Sequence, residues 1–331
     1  MIHRTPELLT LMKVILTGAS GFVGRAVLDV LVRSAGIQVM VALRKPLQSL
    51  PSGVQMYQIT DLADDQGSRL NDYEPDVVVH CAARVHVMND TTADPLAEFR
   101  RVNVDGTLAL ARAARAAGAK RFVFISSIKV NGEGTLPGAP YRADDIPRPS
   151  DPYGISKLEA ERALLTLSQE TGMEIVIIRP VLVYGPGVKA NFLNMMRWLQ
   201  RGIPLPFGAI KNRRSMVALE NLVDLIVTCI NHPAAANQVF LVSDGEDLST
   251  TELLRRMGRA LGRPARLLPM PAWLLQGAAR ALGKRALSQR LCGSLQVDID
   301  KTRVLLGWRP PVSVEQALKA TAIHFQEDVN R

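Results

Sequence analysis

Two groups of residues in this chain have types and spacings that could carry out chemistry. An apolar run at residues 14–16, within a predicted strand, leads into a turn in which glycine recurs at every third position. Such a strand, turn and helix lets backbone N–H groups approach a dinucleotide pyrophosphate at a helix N-terminus. Farther along, Tyr153 and Lys157 are four residues apart, so a helix places an acid/base and a cation on one face. Together the groups predict an enzyme with a nicotinamide cofactor, held at the turn by Gly18, Ser20, Gly21, Phe22, Val23 and Gly24.

Strands and helices alternate through the first half of the sequence, and this alternation predicts how the two groups are positioned. β-Branched apolar runs predict strands at residues 14–17, 38–43, 54–59, 77–80, 121–126 and 174–178. Helical spacing predicts helices at residues 25–34, 96–117 and 153–171. Alternating elements of this kind form parallel sheets that are covered by helices on both faces. The predicted fold class is therefore α/β, with a Rossmann-type doubly wound parallel sheet.

A second region follows the predicted sheet, because proline and glycine become frequent and the helical stretches become shorter after residue 180. Residues 12–180 are predicted to form the NAD(P)-binding domain, and residues 181–331 mainly a smaller, interleaved substrate-binding region. An apolar run at residues 238–242 predicts one more strand, so residues 238–261 are expected to return to the large domain. Residues 1–11 precede the first predicted strand and are expected to be an N-terminal extension outside the fold.

The composition of the 331 residues is that of a packed globular enzyme, with 47% hydrophobic residues and 24 glycines. The three cysteines are odd in number and form no Cys-x-x-Cys pair, which predicts reduced thiols in a cytoplasmic protein. The N-terminal residues lack the apolar core of a signal peptide, in agreement with that location. No His, Cys and carboxylate residues cluster at metal-ligand spacing, so no metal is expected.

The chain is basic, with 40 Lys and Arg against 31 Asp and Glu and a net charge of +9. Such an excess indicates a nucleic acid, an anionic membrane surface or an acidic substrate as partner. Aromatic residues make up only 5% of the chain, too few for a nucleic-acid stacking platform, and an anionic nucleotide explains part of the excess. Residues 267–291 mix apolar and basic side chains and leave two interpretations open: a helix on a membrane surface, or a packed helix with a solvated basic side.

The end of the second predicted strand indicates which nicotinamide cofactor is used. Dinucleotide sites usually carry an acid there, about 20 residues after the glycine turn, that binds the ribose 2′-hydroxyl. This chain instead has Arg44 and Lys45 after Leu43. An acid would repel a 2′-phosphate, whereas two cations bind it through charge-assisted hydrogen bonds. The sequence therefore predicts NADP(H) over NAD(H), with NAD(H) as the alternative if both cations are merely solvated.

The glycine turn, the serine pair that ends at Ser127, the Tyr153 and Lys157 pair, and Arg179 occur in the order and spacing of a known family. After the predicted extension, the whole chain resembles the extended short-chain dehydrogenase/reductases, and more narrowly the nucleotide-sugar epimerases and dehydratases. The resemblance implies Ser127, Tyr153 and Lys157 as catalytic residues. It also implies Tyr153 and Lys157 as cofactor-binding residues, with Lys157 at the ribose hydroxyls. Free tyrosine has a pKa of about 10. Lys157 and the positive ring of the oxidised cofactor are expected to lower the pKa of Tyr153, which then acts as acid/base.

The resemblance also implies which residues bind the cofactor. Asp61 and Leu62 match the acid and apolar pair that hold the adenine in that family. Ala82 and Ala83 match its cofactor-lining loop after the fourth strand, and Asn103 matches its helix asparagine beside the active site.

For the substrate, the resemblance implies a nucleotide sugar. Asn191 matches the segment that cradles the nucleotide and sugar, and Arg214 matches the arginine that clamps the nucleotide diphosphate. The family also implies a homodimer, with the predicted helices at residues 96–117 and 153–171 at its interface.

One departure from the family narrows the reaction. Family 4,6-dehydratases follow the catalytic hydroxyl with an Asp-Glu pair, whereas Ile128 and Lys129 follow Ser127 here, so dehydration is not expected. The cations at the strand end favour an NADPH-dependent reductase. Its reaction would be reduction of the C4 ketone of a nucleotide-linked 4-keto-6-deoxy sugar, of the UDP-4-keto-6-deoxy-N-acetylglucosamine type, in surface polysaccharide (O-antigen) biosynthesis.

Three alternatives to the reductase stay open. The first is a UDP-glucose or UDP-N-acetylglucosamine 4-epimerase with retained NAD. The second is a 4-epimerase of a lipid diphosphate-linked sugar, which residues 267–291 suggest through contact with a membrane surface. The third is a non-catalytic dinucleotide sensor, disfavoured because Tyr153 and Lys157 are both present.

Overall fold

The computed structural model describes residues 11–47, 49–62, 67–85, 94–281, 283, 289 and 291–329, without the side chains of residues 67 and 68. The predicted extension at residues 1–11 lies outside these residues except for Leu11. The chain forms two compact units that interleave along the sequence. The first unit contains the residues up to Ile125, Ser156–Ile177 and Cys229–Gln238, and the second contains Ser126–Ile155, Ile178–Thr228 and the residues from Val239 onward.

A seven-stranded parallel sheet is the centre of the fold, and the predicted fold class is confirmed. Its strands are β1 (Met12–Thr17), β2 (Ile37–Leu43), β3 (Gln55–Gln58), β4 (Val77–His80), β5 (Arg121–Ile125), β6 (Glu174–Pro180) and β9 (Gln238–Val242). Their order in the sheet is β3-β2-β1-β4-β5-β6-β9. Strand β1 pairs with both β2 and β4, and Thr17 at its end lies opposite Ala42 and His80. The turns after these strands therefore meet at one edge of the sheet, where the strand order reverses and ligands bind in such folds.

Burial on both faces explains why the central strands read as continuous apolar runs. All four residues of β4 and all five residues of β5 are buried. Helix α1 (Phe22–Leu31) buries Val27, Leu28 and Leu31 on one of its faces. Each such aliphatic side chain stabilises the fold by about 1.5–3 kcal/mol relative to exposure in water.

The other helices of the first unit are α2 (Gly67–Tyr73), α3 (Pro95–Arg100), α4 (Gly106–Ala116) and most of α5 (Pro152–Thr171). The prediction of one continuous helix at residues 96–117 is wrong, because the α-helix is interrupted. A π-helical turn at Arg101–Asp105 separates α3 from α4. Periodicity alone did not indicate it, because one widened turn changes the 3.6-residue repeat by a single residue.

The second unit contains a small sheet of three strands in the order β10-β8-β7. Strand β7 (Leu182–Tyr184) is parallel to β8 (Arg214–Ala218), and β10 (Asp247–Leu248) is antiparallel to it. Helices α6 (Ala190–Gln200), α7 (Leu219–Asn231), α8 (Thr250–Ala260), α9 (Ala272–Ala281), α10 (Asp300–Leu306) and α11 (Val314–Val329) complete the described fold. None of the helices in the described ranges combines the length and apolar composition that crossing a bilayer needs.

Candidate active site

The glycine turn between β1 and α1 has the geometry of an anion-binding helix start. Gly18 has a φ of +74°, and a Cβ there would lie 2.6 Å from the amide nitrogen of Ala82. A Cβ at Gly24 would lie 2.2 Å from the Gly18 carbonyl oxygen. Gly21 begins the helix without a side-chain cap and with no acid in the first turn. The N–H groups at this exposed helix start therefore fit the pyrophosphate of a dinucleotide. The predicted cofactor-binding residues Ser20, Phe22 and Val23 lie in the same turn and at the start of α1.

The end of β2 presents positive charge where a ribose-binding acid commonly stands. Leu43 is buried, and the Arg44 and Lys45 side chains that follow it are exposed. Neither makes an ion pair with another residue that the structure describes. The Gln58 amide donates to the Arg44 carbonyl oxygen at 3.3 Å and holds the backbone there. This arrangement fits a dinucleotide that carries a 2′-phosphate.

Asp61, the predicted adenine-binding acid, is bound by an arginine of the same unit. Its carboxylate accepts a hydrogen bond from Arg101, at the start of the π-helical turn. The neighbouring Leu62 is buried. The ion pair therefore ties the loop after β3 to the helix that carries Asn103.

Asn103 connects the loop after β4 to helix α5. Its side chain is buried, and it accepts from the Arg84 amide at 2.8 Å and donates to the Arg84 carbonyl oxygen at 3.1 Å. It also donates to the Ser156 hydroxyl at 3.0 Å. The π-helical turn places this side chain inward, as such turns often do at functional sites. Asn103 thereby fixes the backbone that follows Ala82 and Ala83 in the predicted cofactor loop.

Lys157 is an unusual side chain because it is a lysine that is almost completely buried. Its Nζ lies 4.0 Å from the ring centroid of Phe124, within cation–π range. Burial lowers the pKa of Lys157 to about 7, although Glu161 and Cys81 act in the opposite direction. The amino group therefore changes its charge near neutral pH, a property that functional lysines often have.

His80 lies at the end of β4 and is kept neutral by its surroundings. Burial, with a smaller contribution from the Lys157 charge, lowers the pKa of His80 to about 3. The ring nitrogens are hydrogen-bonded to the hydroxyls of Thr17 at 2.7 Å and Thr107 at 3.0 Å. His80 is thus a structural link between β1, β4 and α4 beneath the glycine turn.

In the second unit, Ser127 and Tyr153 are joined by a hydrogen bond between their side chains. Burial raises the pKa of the Tyr153 phenol to about 12, the Ser127 hydrogen bond lowers it, and the charge of Asp151 raises it further. The sequence predicts a lowered pKa for Tyr153, whereas these surroundings raise it. The surroundings of Tyr153 within the protein therefore favour the protonated phenol at neutral pH.

An ion-pair cluster that the sequence did not reveal holds this serine and tyrosine together. The Lys129 ammonium donates to Asp151 and, at 2.8 Å, to Glu133. Asp151 also accepts from the Gly154 amide at 2.6 Å in the first turn of α5. Gly154 packs so closely that a Cβ would lie 2.9 Å from the Lys129 carbonyl oxygen. Lys129 and Asp151 therefore fix the segment that bears Ser127 against the helix start that bears Tyr153.

The predicted substrate residues Asn191 and Arg214 also lie in the second unit. Asn191 is exposed in the first turn of α6. Arg214 begins β8, is half-buried, and donates to the Gly293 carbonyl oxygen at 3.2 Å. The described residues include no group of three His, Cys, Asp or Glu side chains that could hold a metal ion.

A polar cavity of about 390 Å³ opens near β8 in the same unit. Lys211, Arg213 and Arg255 line it together with Asp247 and Glu252. Both carboxylates are engaged within the protein, Asp247 by Ser215 and Gln296 and Glu252 by Ser249. The three cations consequently dominate the cavity and suit an anionic ligand of small-molecule size.

Comparison with known proteins identifies the family. The chain matches the NAD dependent epimerase/dehydratase family over residues 14–243. It is a member of that family. It is 49% identical to a UDP-glucose 4-epimerase from Vibrio cholerae over 96% of this chain and 97% of that protein. It is 28% identical to a GDP-6-deoxy-D-mannose reductase from Pseudomonas aeruginosa over 96% of this chain and 98% of that protein.

A solved structure agrees with the fold of this epimerase-family protein. The UDP-glucose 4-epimerase of Thermotoga maritima superimposes with a TM-score of 0.77 at 24% identity, covering 96% of this chain and 100% of that one. The enzyme prediction is also confirmed. The protein is an NAD(P)-dependent enzyme of the nucleotide-sugar epimerase and reductase class.

Proposed function

We propose that this enzyme is a 4-epimerase of a UDP-hexose, UDP-glucose or UDP-N-acetylglucosamine, and that it works in the cytoplasm. The observation that carries the proposal is the 49% identity, over nearly the full length of both chains, to the Vibrio cholerae UDP-glucose 4-epimerase. Ser127, Tyr153 and Lys157 supply the side chains that oxidation and reduction at a sugar C4 require. The three unpaired cysteines support a reducing compartment.

The cofactor would be held by the glycine turn, by Arg44 and Lys45 at the end of β2, and by Lys157. A nicotinamide bound there would supply a reversible hydride acceptor for C4 of the sugar. Tyr153 removes the proton of the C4 hydroxyl as the ketone forms, and gives it back when the hydroxyl is restored. Ser127 hydrogen-bonds the same oxygen and, through its bond to Tyr153, favours the deprotonated phenol.

The surroundings of Ser127 argue against elimination of water. Ile128 is buried, and Lys129 is bound to Glu133 and Asp151. Neither of these two positions provides a free carboxylate for removing a proton next to the ketone. The enzyme therefore has side chains for reaction at C4 and lacks the acid pair of the 4,6-dehydratases.

The test is to incubate the purified enzyme with UDP-glucose or UDP-N-acetylglucosamine and no added reductant, and to follow the C4 epimer by NMR. We expect conversion to an equilibrium mixture, with no net change in nicotinamide absorbance. Absence of any epimer with both sugars, in a preparation that binds nicotinamide dinucleotide, would contradict the proposal.

A net 4-keto reductase is the second candidate, and Arg44 with Lys45 is the observation that favours it. Cations at the end of β2 suit NADPH, which cells use as a reductant, whereas an epimerase recycles its cofactor. Oxidation of NADPH by the enzyme in the presence of UDP-4-keto-6-deoxy-N-acetylglucosamine, with one NADPH oxidised for each product molecule formed, would establish this reaction. The relatives include both an epimerase and a reductase.

The cofactor preference is tested by Arg44→Asp. Because an acid repels a 2′-phosphate, we expect the Kd for NADP⁺ to rise about tenfold to a hundredfold. The Kd for NAD⁺ should stay constant or fall. Calorimetry with both dinucleotides measures this, and Arg33→Asp, at an exposed arginine of the same unit, is the charge-matched control. Equal changes for both dinucleotides would mean that Arg44 does not contact the 2′-position.

Lys129 is proposed as a positioning residue. Lys129→Met should lower kcat about tenfold to a hundredfold, since small misplacements of reacting groups cost this much, and should leave KM nearly constant. Lys129→Arg should restore most of the rate by keeping the ion pairs. The control is Lys301→Met, which removes the Lys301–Asp144 ion pair of the same unit. If both Met variants lose kcat equally, Lys129 has no positioning role.

The homodimer implied by the family stays a prediction, with the α3–α4 segment and α5 at its interface. Sedimentation equilibrium of the full chain measures it.

A further inference from the structure

Positive charge is concentrated in two segments of the sequence that contain no acids. Residues 186–219 contain six Lys and Arg, residues 253–297 contain nine, and neither segment contains Asp or Glu. The remaining chain has 25 Lys and Arg against 31 acids, because the totals are 40 and 31. These two segments therefore carry +15, and the rest of the protein carries −6.

Backbone hydrogen bonds bring the two segments side by side in the second unit. The Leu205 amide donates to the Arg266 carbonyl oxygen at 2.9 Å, and the Leu268 amide donates to the Leu205 carbonyl oxygen at 2.9 Å. The Gly208 amide also donates to Leu268 at 2.9 Å. Residues 205–208 of the first acid-free segment therefore lie beside residues 266–268 of the second.

The same two segments also contain large apolar side chains that are exposed. Two of the three tryptophans of the chain, Trp198 and Trp273, are 43% and 69% exposed, whereas Trp308 is buried. Trp198 accepts a backbone hydrogen bond from Ile203, whose side chain is also exposed. Exposed apolar residues grouped in this way indicate an interaction surface, and we define the apolar patch as Trp198, Ile203, Leu268, Trp273 and Leu274.

Helix α9 carries Trp273 and Leu274 of the apolar patch and does not bury any of its own residues. Ala272, Leu275 and Ala279 lie on one side of the helix and are half-buried. The opposite side carries Trp273 and Leu274, with Arg280 at its border. An amphipathic helix of this pattern, with aromatic and aliphatic residues next to arginine, is typical of helices that lie in a bilayer interface.

We propose that this face of the second unit docks on an anionic lipid bilayer, with α9 in the interface and the surrounding arginines at the headgroups. The bilayer fits both properties at once, since it takes up apolar side chains and attracts cations. A second copy of the chain fits less well, because a two-fold contact would place the same cations against each other. Aliphatic side chains such as Leu268 and Leu274 likewise offer nothing to a nucleic-acid backbone.

The experiment is flotation of the full chain with phosphatidylcholine vesicles that either contain or lack phosphatidylglycerol. We expect flotation only with the anionic vesicles, and release at high salt. Two double variants, Trp273→Ser with Leu274→Ser and Arg266→Glu with Arg280→Glu, should each weaken binding about tenfold or more. The matched controls Val304→Ser and Arg309→Glu change exposed residues outside the two segments and should float like the wild type.

Two further readouts locate the contact. Brominated lipid should quench tryptophan fluorescence of the wild type, and Trp273→Phe should lose part of that quenching, because Trp198 remains in the patch, while still floating. Thermal unfolding, rather than turnover, monitors the folding of every variant, so the test does not depend on the proposed reaction.

Three results would overturn the proposal. The first is no flotation with anionic vesicles. The second is flotation that both double variants leave unchanged, which would place lipid contact elsewhere. The third is a shift from dimer to monomer in the Trp273→Ser, Leu274→Ser variant without lipid binding by the wild type, which would make the patch an interface between copies.

Discussion

Tyr153→Phe is expected to lower kcat for the C4 reaction by a factor of about 10³, within the usual contribution of a general acid/base. The variant keeps the ring but lacks the hydroxyl that exchanges a proton with the C4 oxygen. Binding of the dinucleotide should stay within about twofold, because the glycine turn and Lys157 are unchanged. Turnover by NMR and cofactor titration by calorimetry measure the two quantities.

Tyr73→Phe is the matched control for this prediction. Its hydroxyl donates to the Gln38 carbonyl oxygen at 2.9 Å, beneath the start of β2 and within the first unit. Loss of that hydroxyl should leave kcat near the wild-type value. A Tyr153→Phe variant that retains a tenth or more of the rate would show that another group carries the proton.

The pH profile of Ser127→Ala gives a second check of the same pair. The Ser127 hydrogen bond lowers the pKa of Tyr153. Its removal therefore raises that pKa, and the rising limb of the kcat profile should move to higher pH. A Ser127→Ala variant with reduced kcat and an unshifted profile would mean that the serine contacts only the substrate.

Lys157→Met is expected to have opposite effects on activity and stability. The rate should fall about a hundredfold or more, because the variant loses the cation on the face of α5 that carries Tyr153. The protein without nucleotide should become more stable below pH 7. There the unfolded chain carries a fully solvated ammonium, whereas the fold buries it next to Phe124.

The sign of the pH dependence follows from the pKa of Lys157, about 7 in the fold against 10.5 in the unfolded chain. Between these values the unfolded state binds more protons, so this lysine makes stability rise with pH. Below pH 7 its burial costs up to about 5 kcal/mol, counted at 1.36 kcal/mol per pKa unit. The free energy of unfolding, measured with urea, should be larger at pH 9 than at pH 6 in the wild type, and this difference should be smaller in Lys157→Met.

Lys129→Met is the matched control, because the same substitution has the opposite expected sign. Burial alone would lower the pKa of Lys129, but its hydrogen bonds with Asp151 and Glu133 raise the pKa above the ordinary value. Charge on Lys129 thus stabilises the fold, and its loss should destabilise the protein at both pH values. If Lys157→Met also destabilises the protein at pH 6, the buried ammonium is compensated by its neighbours. The double variant Lys157→Met, Glu161→Gln tests whether Glu161 provides that compensation.

Local sequence patterns determined the fold class and the type of cofactor. The alternation of strands and helices follows from the period of buried side chains, and the glycine turn follows from backbone space that excludes a Cβ at Gly18. The four-residue spacing of Tyr153 and Lys157 sets their common helix face. These features depend on neighbours within one or two turns of chain, so a sequence by itself contains them.

Only the tertiary structure determined the ion pairs, the burial and the pKa shifts of the site residues. The Lys129–Asp151 ion pair joins residues 22 positions apart, and Leu205 with Arg266 joins the two acid-free segments. The burial that raises the pKa of Tyr153 and lowers that of Lys157 depends on which side chains pack around them. The inward turn of Asn103 needs one widened helical turn. No periodic pattern in the sequence indicates these contacts and pKa shifts, because packing between distant segments determines which groups are desolvated and which charges are paired.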